Sequence, residues 1–192
     1  FDVLTGKPCW RVDTGLIMPD FLTSGGGRID FVERRENNLA VPLLTVLESE
    51  SGSRIVHVPI SEGDFPTNAT IDDHSVYVTF RERASRARLY VSAFGLQDGA
   101  RAWTCAIPAK GASPQVFKPD LIGSLLLVNG ADLDKVGGRW RARTVVIRRA
   151  DGALLQEIAP EAGATHPPTM VLENGVFAFV QGSTISVYLG AE

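Results

Sequence analysis

Asp72-Asp73-His74 sets two carboxylates beside an imidazole, the residue types of general acid–base catalysis or of metal ligation. The triplet stands directly before a β-rich run at 75–80. Asp also makes tight turns by accepting bonds from its own backbone. Glu173-Asn174-Gly175 holds the corresponding place later in the chain, so a hairpin turn is expected at Asp72. Asn129, Asp132 and Asp134 space their oxygens as a calcium loop does, but the next ligand position is Val136 and the distal one Arg143. A long solvated hairpin loop is expected there instead. His57, His74 and His166 fall in separate parts of the chain without HxH or HExxH spacing. Ser53, Ser124 and Ser183 lie near glycines but in no Gly-x-Ser-x-Gly elbow. Gly25-Gly26-Gly27 is followed by no helix that would complete a phosphate cradle, and it reads as a connection or bulge leading into 28–32. Cys9 and Cys105 have no metal or redox spacing, and strand alternation points them to opposite sides of equivalent strands. No catalytic residue, metal ligand set or cofactor is nominated from these patterns.

Arginine offers a different chemistry. Arg139, Arg141 and Arg143 alternate with Trp140, Ala142 and Thr144, which puts one cationic stripe on a strand; Arg81, Arg83, Arg86 and Arg88 flank a hairpin tip. Residues 81–149 carry 13 Lys and Arg against 5 Asp and Glu, or +8, while the remainder carries 6 against 17, or −11. The three alternating arginines are the candidates for meeting an acidic protein partner; the same residues would also keep a hairpin soluble and its edge protected. Nucleic acid is not expected, because only Trp140 and Tyr90 interleave the basic runs and the acidic remainder repels a polyanion.

The elements that must position these residues are strands. Runs at 43–47, 54–60, 75–80, 89–94, 125–128, 144–147, 176–180 and 184–189 are β-rich and separated by Gly, Pro, Asn and Asp. Helical periodicity is missing, and no apolar run approaches the roughly 20 residues of a membrane-spanning helix. With 44% hydrophobic and 21% charged residues, the chain has the composition of an ordered domain and not of a disordered one. An all-β fold is expected. Gly6 and Gly99 each precede a tryptophan by four residues, Trp10 and Trp103; Gly52 and Gly152 open similar turns without one. The four glycines are 46, 47 and 53 residues apart, the length of a four-stranded propeller blade. Forty residues follow Gly152 and six lead to Gly6, which together make one more period.

Asp2-Val-Leu-Thr-Gly-Lys-Pro-Cys-Trp10 resembles the tryptophan-docking repeat of the quinoprotein-like (PQQ-type) β-propellers, and Asp98-Gly99-Ala-Arg-Ala-Trp103 is a partial second copy. The resemblance implies a single propeller domain over 1–192, with repeats near 13–60, 61–108, 109–160, and 161–192 plus 1–12. In that arrangement the N-terminal strand completes the last of about four blades, or else the chain is part of a larger ring. Gly6, Trp10, Gly99 and Trp103 become blade anchors, with each ring wedged between neighbouring blades. The acidic ligands of quinone-binding members cannot be placed here, so the resemblance implies a cofactor-free scaffold for protein partners, as a subunit of a larger complex, in a periplasmic or extracellular setting. The other class kept open is a small propeller glycosidase or lyase, with carboxylates brought together around the axis.

Overall fold

A computed structural model describes residues 8–12, 22–25, 27–33, 41–60, 65–82, 88–108, 115–116, 119–133, 140–158, 169–173, 176–181 and 184–189. These residues hold sixteen strands and no helix. Sheet I contains β1 (Leu22–Gly25), β2 (Arg28–Glu33), β3 (Leu43–Glu48) and β4 (Arg54–Pro59). Sheet II contains β5 (Phe65–Ile71), β6 (Ser75–Arg81), β7 (Leu89–Gly95) and β8 (Arg101–Ile107). Sheet III contains β10 (Asp120–Ile122), β11 (Leu125–Leu133), β12 (Trp140–Arg148) and β13 (Leu154–Ile158), with the short β9 (Gln115–Val116) beside β11. Sheet IV contains β14 (Thr169–Glu173), β15 (Val176–Gln181) and β16 (Thr184–Leu189). All pairings are antiparallel, and spatial order follows chain order within each sheet, β9 apart.

Sheet packing follows from the twofold alternation of side chains. On β6, Val76, Val78 and Phe80 enter a core shared with Val32, Leu44, Val46 and Val56 of sheet I, while Tyr77 enters a second core shared with Leu126, Val128, Val145 and Ile147 of sheet III. Sheet II is therefore sandwiched, which is why β6 and β7 are almost continuously apolar. The outer strands β4, β8 and β13 are largely exposed and of mixed composition.

Sheets I, II and III end their third strand in the same turn. The amides of Gly52, Gly99 and Gly152 donate to the carbonyls of Glu48, Gly95 and Arg148, each at 2.9 Å. Those glycines have φ of 70°, 67° and 72°, a left-handed conformation that costs any other L-residue roughly 1–2 kcal/mol. One residue earlier, the side chains of Ser51, Asp98 and Asp151 each accept the amide two residues on. The turns are thus closed by residue chemistry that recurs with the repeat.

Gly6 and the rest of 1–7, expected to be part of a closing strand, lie outside the described residues, and residues 8–12 form no strand. The solvated loop expected from Asn129 is corrected: residues 129–133 belong to β11, paired with β12 as far as Leu133 opposite Trp140. Alternation along that strand sends Asn129 and Asp132 to opposite faces, so the two cannot share a cation.

Candidate functional site

The tryptophans lie where sheets meet. Trp103, on β8, rests on the sheet III turn: a Cβ added to Gly152 would be 2.5 Å from the indole, whose Nε1 donates to Arg149 O at 2.9 Å. Trp10 rests in the same way on sheet I, with 2.7 Å between its ring and a Cβ built on Gly52 and a 2.7 Å bond from Nε1 to Ser49 O. Gly99 receives Val58 of β4 instead, at 2.5 Å from a built Cβ. At Gly99 and Gly152 a residue from the preceding sheet's outer strand, Val58 or Trp103, therefore fills the space above the turn glycine, and at Gly52 Trp10 does so, which is why these positions tolerate no side chain.

Asp72 lies in the turn between β5 and β6. Its Oδ1 accepts the amides of His74 and Ser75, both at 2.7 Å, which makes the triplet an Asx turn. Its Oδ2 accepts the Tyr77 hydroxyl at 3.0 Å and pairs with the Arg149 guanidinium, which also donates through Nε to Tyr77 Oη at 3.2 Å and through Nη1 to Gly123 O. Partial burial alone would raise the Asp72 carboxyl; the two amides, the Tyr77 hydroxyl and Arg149 outweigh it and hold the group below its ordinary value. Burial pushes the Tyr77 hydroxyl up, against the pull of Arg149. Desolvation would lower Arg149, but Tyr77 and Asp72 more than offset it and keep the cation charged. The cluster thus joins the β5–β6 turn of sheet II to the β12–β13 turn of sheet III.

Arg143 is corrected as a partner-facing candidate. It is 4% exposed, its Nε is 3.0 Å from Asp132 Oδ2, and its Nη1 donates to Pro108 O and lies 3.8 Å from Glu157. A cation this deep is retained only with internal partners. Strand alternation was visible in the sequence, but which side of the strand faced another sheet was not. Arg141 sits opposite Asp132 in the β11–β12 ladder, and Arg139 lies outside the described residues. Arg83 and Arg86 also lie outside them, whereas Arg88 pairs with Glu82 at 3.6 Å. Cys9 is exposed and Cys105 buried, both as free thiols, and burial raises the Cys105 thiol.

Sequence reasoning did not single out Arg149, Arg101 or Arg28. Arg101 donates to Ile60 O at 2.5 Å and lies over the Phe94 ring, and Arg28 donates to Asp73 O at 2.8 Å. Arg149 carried no signal in its position before the turn glycine, since the residues three before Gly52 and Gly99 are Ser49 and Leu96. Thr45 and His57 (2.9 Å), Ser92 and Thr104 (2.8 Å), and Thr144 and Asn129 (2.7 Å) form side-chain bonds between adjacent strands. Among the described residues, no three His, Cys, Asp or Glu side chains are grouped to hold a metal ion.

Antiparallel sheets in chain order, with Val58 and Trp103 of two outer strands packed on the turn glycine of the following sheet, make an all-β fold that is similar to solved β-propellers. The fold is similar to that of BamB from Moraxella catarrhalis, with TM-score 0.50 and 15% identity over 85% of this chain and 46% of that one. It is also similar to quinohemoprotein alcohol dehydrogenase ADHIIG from Pseudomonas putida HK5, with TM-score 0.52 and 12% identity over 86% and 32%. A third similar structure is the complex of KlAtg21 with the coiled-coil of AgAtg16, with TM-score 0.51 and 10% identity over 85% and 49%. The chain spans a third to a half of the length of these structures. At such identities the likeness is one of fold, and it includes propellers of the PQQ type. No family model matches the chain, and no curated protein matches it by sequence.

Proposed function

We propose that the chain is a non-catalytic β-propeller module that presents sheet edges and loops to protein partners as a subunit of a larger complex. The observation that carries this reading is the use made of its ionic side chains. Asp72, Arg149 and Tyr77 tie two sheets together, and Arg143 with Asp132 and Glu157 forms a buried ionic group. These groups are committed to architecture. A solved structure of similar fold is the complex of KlAtg21 with the coiled-coil of AgAtg16, which supports a protein-binding role.

Trp10 supports a closed ring of four blades within this reading. In the interface between sheets II and III, the residue above the turn glycine comes from the outer strand of the neighbouring sheet. Trp10, though residues 8–12 form no strand, takes over the turn glycine of sheet I the place that Trp103 takes over that of sheet III, and sheet IV, with three strands among the described residues, is the sheet whose outer position it would fill.

The test is co-purification with tagged full-length chain at low and physiological salt. Specific protein partners should be recovered with the wild type, and charge reversal at Arg139 and Arg141 should weaken recovery most at low salt, where charge steering is least screened. A chain that recovers no partner under any of these conditions would contradict the scaffold reading.

A further inference from the structure

The β5–β6 turn of sheet II is held from both sides. From sheet I, Arg28 of β2 donates through Nη1 to the carbonyl of Asp73 at 2.8 Å and, more weakly, to that of Asp72 at 3.4 Å. From sheet III, Arg149 pairs with the Asp72 carboxylate, and both bond the Tyr77 hydroxyl. Sheets I and III meet different atoms of one three-residue segment.

The two contacts converge on a single peptide. The carbonyl that receives Arg28 belongs to the Asp73–His74 peptide, and the N–H of that same peptide donates to Asp72 Oδ1 at 2.7 Å, while Oδ2 of that carboxylate faces Arg149. A donor placed on a carbonyl polarises its amide and strengthens the bond that the N–H makes, so hydrogen bonds in series reinforce one another. This series runs from a cation in sheet I, through a peptide and a carboxylate in sheet II, to a cation in sheet III. It ends at the interface tryptophan: the Arg149 carbonyl accepts Trp103 Nε1 at 2.9 Å.

The element with two states is the Asp72 side chain. Engaged, it accepts the amides of His74 and Ser75, the Tyr77 hydroxyl and Arg149; rotated out, it leaves these donors to water. Arg149 favours the engaged state by holding the carboxylate, and Arg28 favours it by fixing and polarising the peptide that the carboxylate caps. Two sites that favour the same state of a shared element are coupled, and the coupling is reciprocal.

We infer that the β5–β6 turn is a conformational coupler, through which the contact of Arg28 with sheet II stabilises the contact of Arg149 with sheet II, so that release of either loosens the other. The direct force between the two guanidinium groups is repulsion, which would give the opposite sign. The transmitted effect is smaller than the local one, so each interface keeps the sensitivity of its own contacts.

The experiment is native-state hydrogen exchange, followed by NMR on the full chain, for wild type, Arg28→Gln, Arg149→Gln and the double variant. The His74 amide and the Trp103 indole N–H report on the coupler, and the amides of Val78 and Val91 in the buried central strands report global unfolding. At His74, Arg149→Gln should lower protection about tenfold and Arg28→Gln about threefold. Arg28→Gln should also lower protection of the Trp103 indole about threefold, and that effect should vanish in the Arg149→Gln background, where the series is already cut. Arg28→Lys keeps a donor for the Asp73 carbonyl and should restore most of the Trp103 protection. Unchanged or increased Trp103 protection in Arg28→Gln, an equal effect with and without Arg149, or a parallel fall at Val78 and Val91 overturns the coupling.

Discussion

The interface between sheets I and II and the one between sheets II and III use the same ladder and the same turn, yet they are held by different forces. The first is apolar: Phe80 lies fully buried between Tyr90, at 5.0 Å between ring centroids, and Phe94, at 6.4 Å, while valines cover Gly99. Its polar ties run from Arg28 and Arg101 to backbone carbonyls. The second places Trp103 over Gly152, sets the Tyr77 and Trp103 rings 5.9 Å apart, and adds the Asp72–Arg149 pair. An arginine reaches a strand-end carbonyl in both: Arg101 to Ile60 in the first, Arg143 to Pro108 in the second. The scaffold of the repeat thus specifies where sheets touch, and individual side chains decide whether the contact responds to pH and salt.

The contrast is broken most severely at Phe80. Phe80→Ala removes a fully buried ring and should cost about 3–5 kcal/mol, read from urea unfolding. Hydrogen exchange should then show protection lost first in β2–β4. Equal loss in β11 and β12 would mean that the three sheets unfold as one unit and that the two interfaces are not separable.

Trp103 gives the next largest effect and a sharper one. Trp103→Ala should cost about 2–4 kcal/mol, less than a fully buried ring because part of the indole is exposed. Gly152→Ala in the wild type meets both the left-handed φ and the indole, and should cost about 2–4 kcal/mol from strain and overpacking. In the Trp103→Ala background only the backbone strain remains, so the double mutant should be more stable than additivity predicts by about 1–2 kcal/mol. Additive losses would show that the ring and the glycine do not share one site.

What could be read from the sequence follows the same division. The central strands β3, β6, β7, β11 and β12 are buried on both faces and appear as apolar runs, so they and the all-β class were legible. Strand β5, with Pro66 and Asn68, and β8, with Arg101 and Thr104, were not, because edge strands alternate against partners that the sequence does not name. The glycine spacing carried the repeat, since a left-handed turn against a neighbour's side chain admits little else. Asp72 was legible as a turn residue, and its charge partner was not: Arg149 is 77 positions away and meets it only through sheet packing. Arg143 looked like one of three equivalent arginines until burial distinguished it.

The smallest effect separates the interfaces by pH. The Asp72 carboxyl is held below its unfolded value of 3.8, so the folded state binds fewer protons than the unfolded state as pH falls toward that value. Its contribution is fully present above the unfolded value and is lost as pH falls through the lower folded value, so the window lies below pH 3.8. Asp72→Asn keeps a side-chain oxygen for the turn amides but removes the charge opposite Arg149. It should cost about 1 kcal/mol at neutral pH, the upper end for a pair not fully desolvated, and flatten the acid limb of the stability curve. Added salt should shrink the difference between wild type and Asp72→Asn, since the pair retains some exposure. The interface between sheets I and II, held by apolar contacts and by arginine bonds to backbone carbonyls, should keep its hydrogen-exchange protection to lower pH than that between sheets II and III. Simultaneous loss in both, with Asp72→Asn as stable as wild type at neutral pH and showing the same acid limb, would show that the acid response arises elsewhere in the molecule.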